Sequence, residues 1–166
     1  MIYQTERLLI RKLEPSDINP FHEMQSNQNV MEYTDNKAKD FDTNYNELHY
    51  LINCYSKPNN DFWVWAVIRK EDNTFLGTIA LIKDDDGNDE TGFRYLEKYW
   101  NNGYGFEALI GIINYARQLG IKTLVADVYA KNIGSEHILK KADFKFVKEY
   151  ICKERNLIDR LYKLEL

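Results

Sequence analysis

Tyr99-Trp100-Asn101-Asn102-Gly103-Tyr104-Gly105-Phe106-Glu107-Ala108 decides how this chain is read. The stretch opens the strongest helical period in the sequence, Gly103–Leu119. There Phe106, Leu109, Ile110, Ile113, Ala116 and Leu119 recur at spacings of three and four, and Gly120 closes the end. Glycines at 103 and 105 let the backbone approach a ligand closely and take angles that other residues avoid. The first amides of a helix have no partners within it, and the helix dipole adds positive character. Two readings remain open from the loop alone: an anion site suited to phosphate or pyrophosphate, or a plain strand-to-helix turn. A dinucleotide-fold fingerprint is excluded, because the third glycine and the leading βαβ unit are missing. A Walker loop is excluded because no Gly-Lys-Ser/Thr follows.

On the N-terminal side, Glu90–Leu96, Phe75–Lys83 and Asp61–Lys70 read as three strands joined by turns at Glu71-Asp72-Asn73 and Asp84–Asn88. Before them, Asp42–Tyr55 has helical spacing, and Asn27–Asp35 is polar, a loop or broken helix. Pro15 or Ser16 opens a helix with Ile18, Phe21, His22 and Met24 roughly on one face, and Glu6–Lys12 is a first strand. On the C-terminal side come a central strand at Lys122–Tyr129 and a short helix at Asn132–Ala142 with Asn132 as its cap. Strands at Phe144–Lys153 and Leu157–Leu166 follow, around a turn at Glu154-Arg155-Asn156. The pattern predicts one α+β domain spanning residues 1–166, with a mixed sheet and helices on its faces. Strands separated by a helix are expected to run parallel, and strands joined by short turns antiparallel.

A chain of 166 residues buries enough surface to fold without staples. The formal net charge of −4 weighs against nucleic acid, which needs clustered Lys and Arg. Asp84–Asp86 could draw in a cationic substrate, although a solvated turn accounts for them too. The two cysteines, Cys54 and Cys152, have no metal or disulfide spacing, so both are expected to be packing residues in a reducing cytoplasm, with no metal. Nothing at the start reads as a signal peptide, and no apolar run reaches membrane length.

The whole pattern resembles the GNAT superfamily of N-acetyltransferases, most closely its RimJ/RimL-like branch. Thr5–Arg11 is similar to that branch's opening strand, and Pro15-Ser16-Asp17 to its next helix start. Trp100-x-x-Gly103-x-Gly105 followed by Glu107-Ala108-Leu109 is similar to the cofactor motif, and Asn132-x-x-Ser135 to the second motif. One departure is Asp143 before Phe144, where the family has glycine. Aspartate tolerates left-handed geometry, so this reads as a cap variant.

The resemblance implies a mostly antiparallel GNAT-like sheet of about seven strands flanked by about four helices. It implies acetyl-CoA as acetyl donor and a primary amine as acceptor, a protein N-terminus or a small molecule, which attacks directly in a ternary complex. The third strand splays from its neighbour, and the cofactor's pantetheine arm pairs with its free edge around Phe93–Leu96, so Tyr95 and Leu96 are cofactor contacts. The Tyr95 amide holds the thioester oxygen. The amides of Asn101, Asn102, Gly103, Tyr104, Gly105 and Phe106 hold the pyrophosphate, and Asn132 bonds the pantetheine. Ser135 is the candidate general acid near the sulfur, with His137 as a substitute, and Glu90 in Glu90-Thr91-Gly92-Phe93 is the candidate general base. Tyr33, Trp63, Trp65 and Trp100 are candidates for the acceptor pocket, with Trp63 or Trp65 expected in the core. The alternatives are a non-catalytic acyl-CoA-binding module of the same outline and a nucleotide-binding protein. The latter is disfavoured by the missing lysine and magnesium carboxylates. A homodimer through the apolar C-terminal strands is a further expectation.

Overall fold

The computed structural model describes residues 1–153 and 155–166; Glu154, part of the expected C-terminal turn, lies outside the described residues. Strand β1 is Tyr3–Gln4 and β2 is Leu8–Lys12. A tight turn at Pro15–Asp17 leads into α1, Ile18–Gln25. Asp17 fixes that turn: its carboxylate takes the Arg11 guanidinium at 2.7 and 2.8 Å and the Glu14 amide at 2.9 Å. Helix α2 is Gln28–Met31, and α3 is Phe41–Cys54, opened by Asp40, whose carboxylate accepts from the Thr43 amide at 2.8 Å. The three central strands are β3 (Phe62–Arg69), β4 (Thr74–Lys83) and β5 (Asp89–Tyr95). They are followed by α4 (Tyr104–Gln118), β6 (Thr123–Tyr129), α5 (Ile133–Lys141), β7 (Lys145–Cys152) and β8 (Leu157–Glu165).

These form one mixed, mostly antiparallel sheet of eight strands in the order β1-β2-β3-β4-β5-β6-β8-β7. The additions to the expected set are β1 and α2, of two and four residues, too short for any period to show. The parallel rule holds for β5 and β6 across α4. It fails for β2 and β3, which pair antiparallel across the α1–α3 excursion. That excursion is long enough to return the chain at either end of the sheet. Strand β8 sits between β6 and β7.

Helices cover both faces. On one, α4 and α5 lay Ala108, Leu109, Ile112, Ile113, Ala116 and Leu139 onto Leu8, Ile10, Val67, Leu76, Leu124 and Ala126. On the other, α1–α3 bury Phe21, Met24, Val30, Leu48 and Leu51 against Ala66, Ile68 and Phe75. Trp63 and Trp65 both belong to the first face, because residues two apart on a strand share a side. Asp143 takes φ 66°, the left-handed cap geometry expected of it. No described helix is long and apolar enough to cross a membrane.

Candidate active site

The site begins where the sheet comes apart. Parallel strands β5 and β6 are in register only at Glu90 and Val125, and beyond that pair they diverge. On its other edge β5 stays bonded to β4 along its whole length. The Leu96 amide, just past β5, donates to Leu76 O at 2.9 Å. Backbone groups alternate in direction along a strand, so the amides of Phe93 and Tyr95 point the opposite way, into the gap. The Tyr95 carbonyl agrees, accepting from the Trp100 indole at 2.9 Å. Leu96 is 3% exposed, and its amide is spent on the sheet, so it offers the gap no backbone donor. A cavity of about 1060 Å³ runs through the gap. Its lining includes Gly103–Phe106 and Asn132–Ser135 on the α4/α5 face, and Phe21, Val30, Tyr33 and Leu51 on the α1–α3 face.

At one mouth lies the glycine loop. Asn101 and Gly103 both take left-handed angles, φ 61° and 78°. These turn successive amides the same way. The first bond of α4 runs from the Glu107 amide to Gly103 O at 3.1 Å. Among the described residues no amide from Asn101 to Phe106 has a protein acceptor. Glu107 anchors the loop's far side, accepting from the Thr5 hydroxyl at 2.5 Å, the Arg7 amide at 2.8 Å and Arg7 Nε at 2.6 Å. Burial alone would raise the Glu107 carboxyl, but these donors hold it below the usual range. The Arg7 guanidinium also donates to Asn102 O at 3.2 Å and stacks 4.6 Å from the Tyr104 ring. Asn102 lies on this outer side, its side chain donating to Trp100 O at 2.8 Å.

Across the mouth stands the start of α5. Asn132 caps it, its Oδ1 accepting from the Ser135 amide at 3.0 Å, which leaves the side-chain NH₂ for other partners. Ser135 and His137 line the cavity, as do Lys131 and Lys141, the latter 4.2 Å from the Phe106 ring. The donor set is backbone amides and two lysines around a curved slot, which fits a pyrophosphate-bearing thioester cofactor.

Carboxylates gather where the strands part. Glu90 occupies the one registered position of the β5–β6 pair, and burial, then Asp127, Asp84 and Asp85, push its carboxyl up to about 7. Asp127, two residues on from Glu90's partner Val125, points to the same face and lines the cavity. Its Oδ1 is buried with no hydrogen-bond partner among the described residues. Burial, with a further contribution from Asp159, raises its carboxyl as well. Asp84 is committed to its own turn, accepting from the Asp86 and Asn88 amides and the Asn88 side chain.

The family model described as acetyltransferase (GNAT) domain matches residues 7–145. The chain belongs to the GNAT acetyltransferase family. It is similar to an uncharacterized N-acetyltransferase, YnaD, of Bacillus subtilis (strain 168), with 28% identity over 169 residues, covering 95% of this chain and 92% of that protein. The GNAT-family acetyltransferase structure from Bacillus anthracis superposes with TM-score 0.86 at 22% identity, covering 98% and 97% of the two chains. The spermidine N-acetyltransferase of Vibrio cholerae, solved in complex with CoA and spermine, superposes with TM-score 0.79 at 18% identity, covering 96% and 95%.

The aromatic residues that reach the cavity differ in part from the sequence expectation. Tyr33 and Trp100 line the cavity, 6.2 Å apart between ring centroids. Trp63 and Trp65 do not, and Phe62 and Val64 take that place because they face the other way on β3. Asp127 and Arg94 were missed. The available signal was an aspartate inside the otherwise largely apolar Thr123–Tyr129 strand and an arginine set between Phe93 and Tyr95.

Proposed function

We propose that this chain, acting as one acetyl-CoA-binding domain, transfers the acetyl group of acetyl-CoA to a primary amine by direct attack in a ternary complex. The observation that carries the reading is the row of uncommitted amides at 101–106, set at the mouth of a cleft lined by Asp127, with Glu90 behind it at the strand pairing and outside the lining. These amides and Lys131 and Lys141 bind the pyrophosphate; the gap-facing groups of Phe93 and Tyr95, with Asn132, bind the pantetheine. When bound, the thioester supplies an activated acyl carbon. The Tyr95 amide donates to its carbonyl oxygen, which stabilises the charge that develops there. Glu90, coupled to Asp127, takes the proton of the incoming ammonium through water, since only a neutral amine has a lone pair. As the C–N bond forms and the C–S bond breaks, Ser135 would relay the remaining nitrogen proton to the sulfur, so that the amide and the free CoA thiol leave and the hydroxyl is restored. The motif at Trp100–Gly105 supports a RimJ/RimL-like branch.

Acetyl-CoA turnover with a panel of primary amines, followed as free thiol, tests this. Amine-dependent thiol release is the expected result. CoA binding without release on any amine would replace the reading with a non-catalytic acyl-CoA module.

A further inference from the structure

The α1–α3 face of the cavity holds a cation that neither the fold nor donor binding uses. Arg94 lies on β5 on the same side as Glu90 and Gly92 and reaches into the cavity. Its one side-chain partner among the described residues is Gln25 Oε1, which accepts from Arg94 Nη1. No carboxylate lies within ion-pair distance of it among those residues. The nearest acids on the helical side, Asp35 and Glu47, are both bound by Lys39, at 2.6 and 2.7 Å. On its own sheet the acids on this face are Asp127, which lines the cavity, and Glu90, which does not and lies four residues back along the strand, roughly 13 Å. Arg94 lines the cavity, and among the described residues only its Nη1 has a side-chain partner, which leaves further guanidinium donors on the cavity side.

The aim of this side chain is fixed from behind. Gln25 and Asn44 are both 0% exposed. Gln25 Nε2 donates to Asn44 Oδ1 at 3.1 Å, and Asn44 Nδ2 donates to Lys39 O at 3.2 Å and sits 2.9 Å from His22 Nδ1. Burying two amides in a helical core is costly unless each is satisfied. Here the chain of bonds ends on Arg94 and orients it. An arginine held this way, with free donors facing a cavity, recognises a planar oxyanion.

We infer that the acceptor amine carries a carboxylate, which Arg94 binds while the amine lies toward Gly92 and the acidic pair. The acceptor class is then amino-carboxylates, not polyamines. This rests on the acetyl-transfer reading above. The cavity then offers each end of the acceptor a partner: Asp127 for the ammonium and Arg94 for the carboxylate, while Glu47, which also lines it, is bound by Lys39.

The test compares amino acids with their amides, and ω-amino acids with alkyl diamines of equal length, by thiol release. Wild type should show kcat/KM about tenfold to a hundredfold higher for each carboxylate, the span of a charge-assisted bidentate contact. Arg94→Gln should bring the ratio near one, and Arg94→Lys should keep part of it. Equal rates for acid and amide in the wild type, or an unchanged ratio in Arg94→Gln, would overturn the inference while leaving acetyl transfer standing. Absence of thiol release on every amine would instead sink the acetyl-transfer reading. Calorimetry then still decides the carboxylate site, by titrating N-acetyl amino acids and their amides into the CoA complex. Tighter binding of the acids supports it and equal binding refutes it.

Discussion

Gly103 and Gly105 stand two residues apart in the same loop, yet alanine should affect them very differently. Gly103 holds φ 78°, and a Cβ there would meet only Arg7 Nη2 at 3.4 Å, ordinary contact. The cost of Gly103→Ala is therefore backbone strain, about 1–2 kcal/mol for an L-residue in the left-handed region. That energy has to appear somewhere. If the loop keeps its shape, the folded state loses it directly. If the loop relaxes, the amides of 101–106 turn away, and CoA must restore them on binding, which weakens affinity roughly fivefold to thirtyfold. Gly105 has no such angle, and its Cβ would sit 3.1 Å from Ile138 Cδ1, the movable tip of a side chain. Gly105→Ala should change either quantity by a few tenths of a kcal/mol, on the order of a small steric adjustment. Calorimetric titration of CoA and thermal denaturation, run on both variants, give the two terms. If Gly103→Ala left both affinity and melting unchanged, or Gly105→Ala proved the more damaging, the left-handed turn would not be what presents the amides.

The acidic pair predicts the pH profile. Glu90 is raised from 4.5 to about 7, so kcat/KM should climb with an apparent midpoint near 7. Glu90→Gln should remove that limb, and Asp127→Asn should move it to lower pH by withdrawing a like charge. The same shift acts on stability. The folded state holds the Glu90 proton over a range where the unfolded chain has released it, so this contribution is full below pH 4.5 and is lost as pH rises through about 7. Wild type should therefore lose stability relative to Glu90→Gln as pH rises from 4.5 through about 7, and a Tm difference independent of pH would show that Glu90 is not perturbed. Glu107→Ala removes the shared acceptor of Thr5 and Arg7. It should cost about 1–2 kcal/mol, seen as a fall of roughly 3–8 °C in Tm, with weaker CoA binding because the loop loses its anchor.

What the sequence could tell depended on whether a feature is local. The donor half of the site is local: Asn101 to Phe106 form one loop, α4 follows at once, and Asn132 caps the next short helix three residues before Ser135. Glycine positions, a cap residue and a helical period are visible without knowing what packs where. The two alternating tryptophans on β3 were also visible, but which side of the strand faces the cavity was not. That is decided by how β3 sits between β2 and β4, so Phe62 and Val64, not Trp63 and Trp65, reach the cleft.

The Arg94 side of the cleft has no local signature, because its parts meet only in three dimensions. Arg94 and Gln25 are separated by 69 positions, and Gln25 and Asn44 by 19. In sequence, Gln25 is a polar residue at the end of an amphipathic helix and Asn44 one near the start of another, and each would ordinarily be placed in solvent. Both are fully buried. Local propensity fails at these positions, and such failures concentrate where a fold accepts a cost for the sake of a site. The same reasoning applies to Asp127, whose unsatisfied oxygen sits in a strand that otherwise reads Thr-Leu-Val-Ala-Val-Tyr around it. Arg94, held from behind by Gln25 and Asn44, and Asp127 therefore meet on one face of one cleft with opposite charges. A packing-only account gives no reason for that convergence, whereas a site for an acceptor that is itself charged at both ends does.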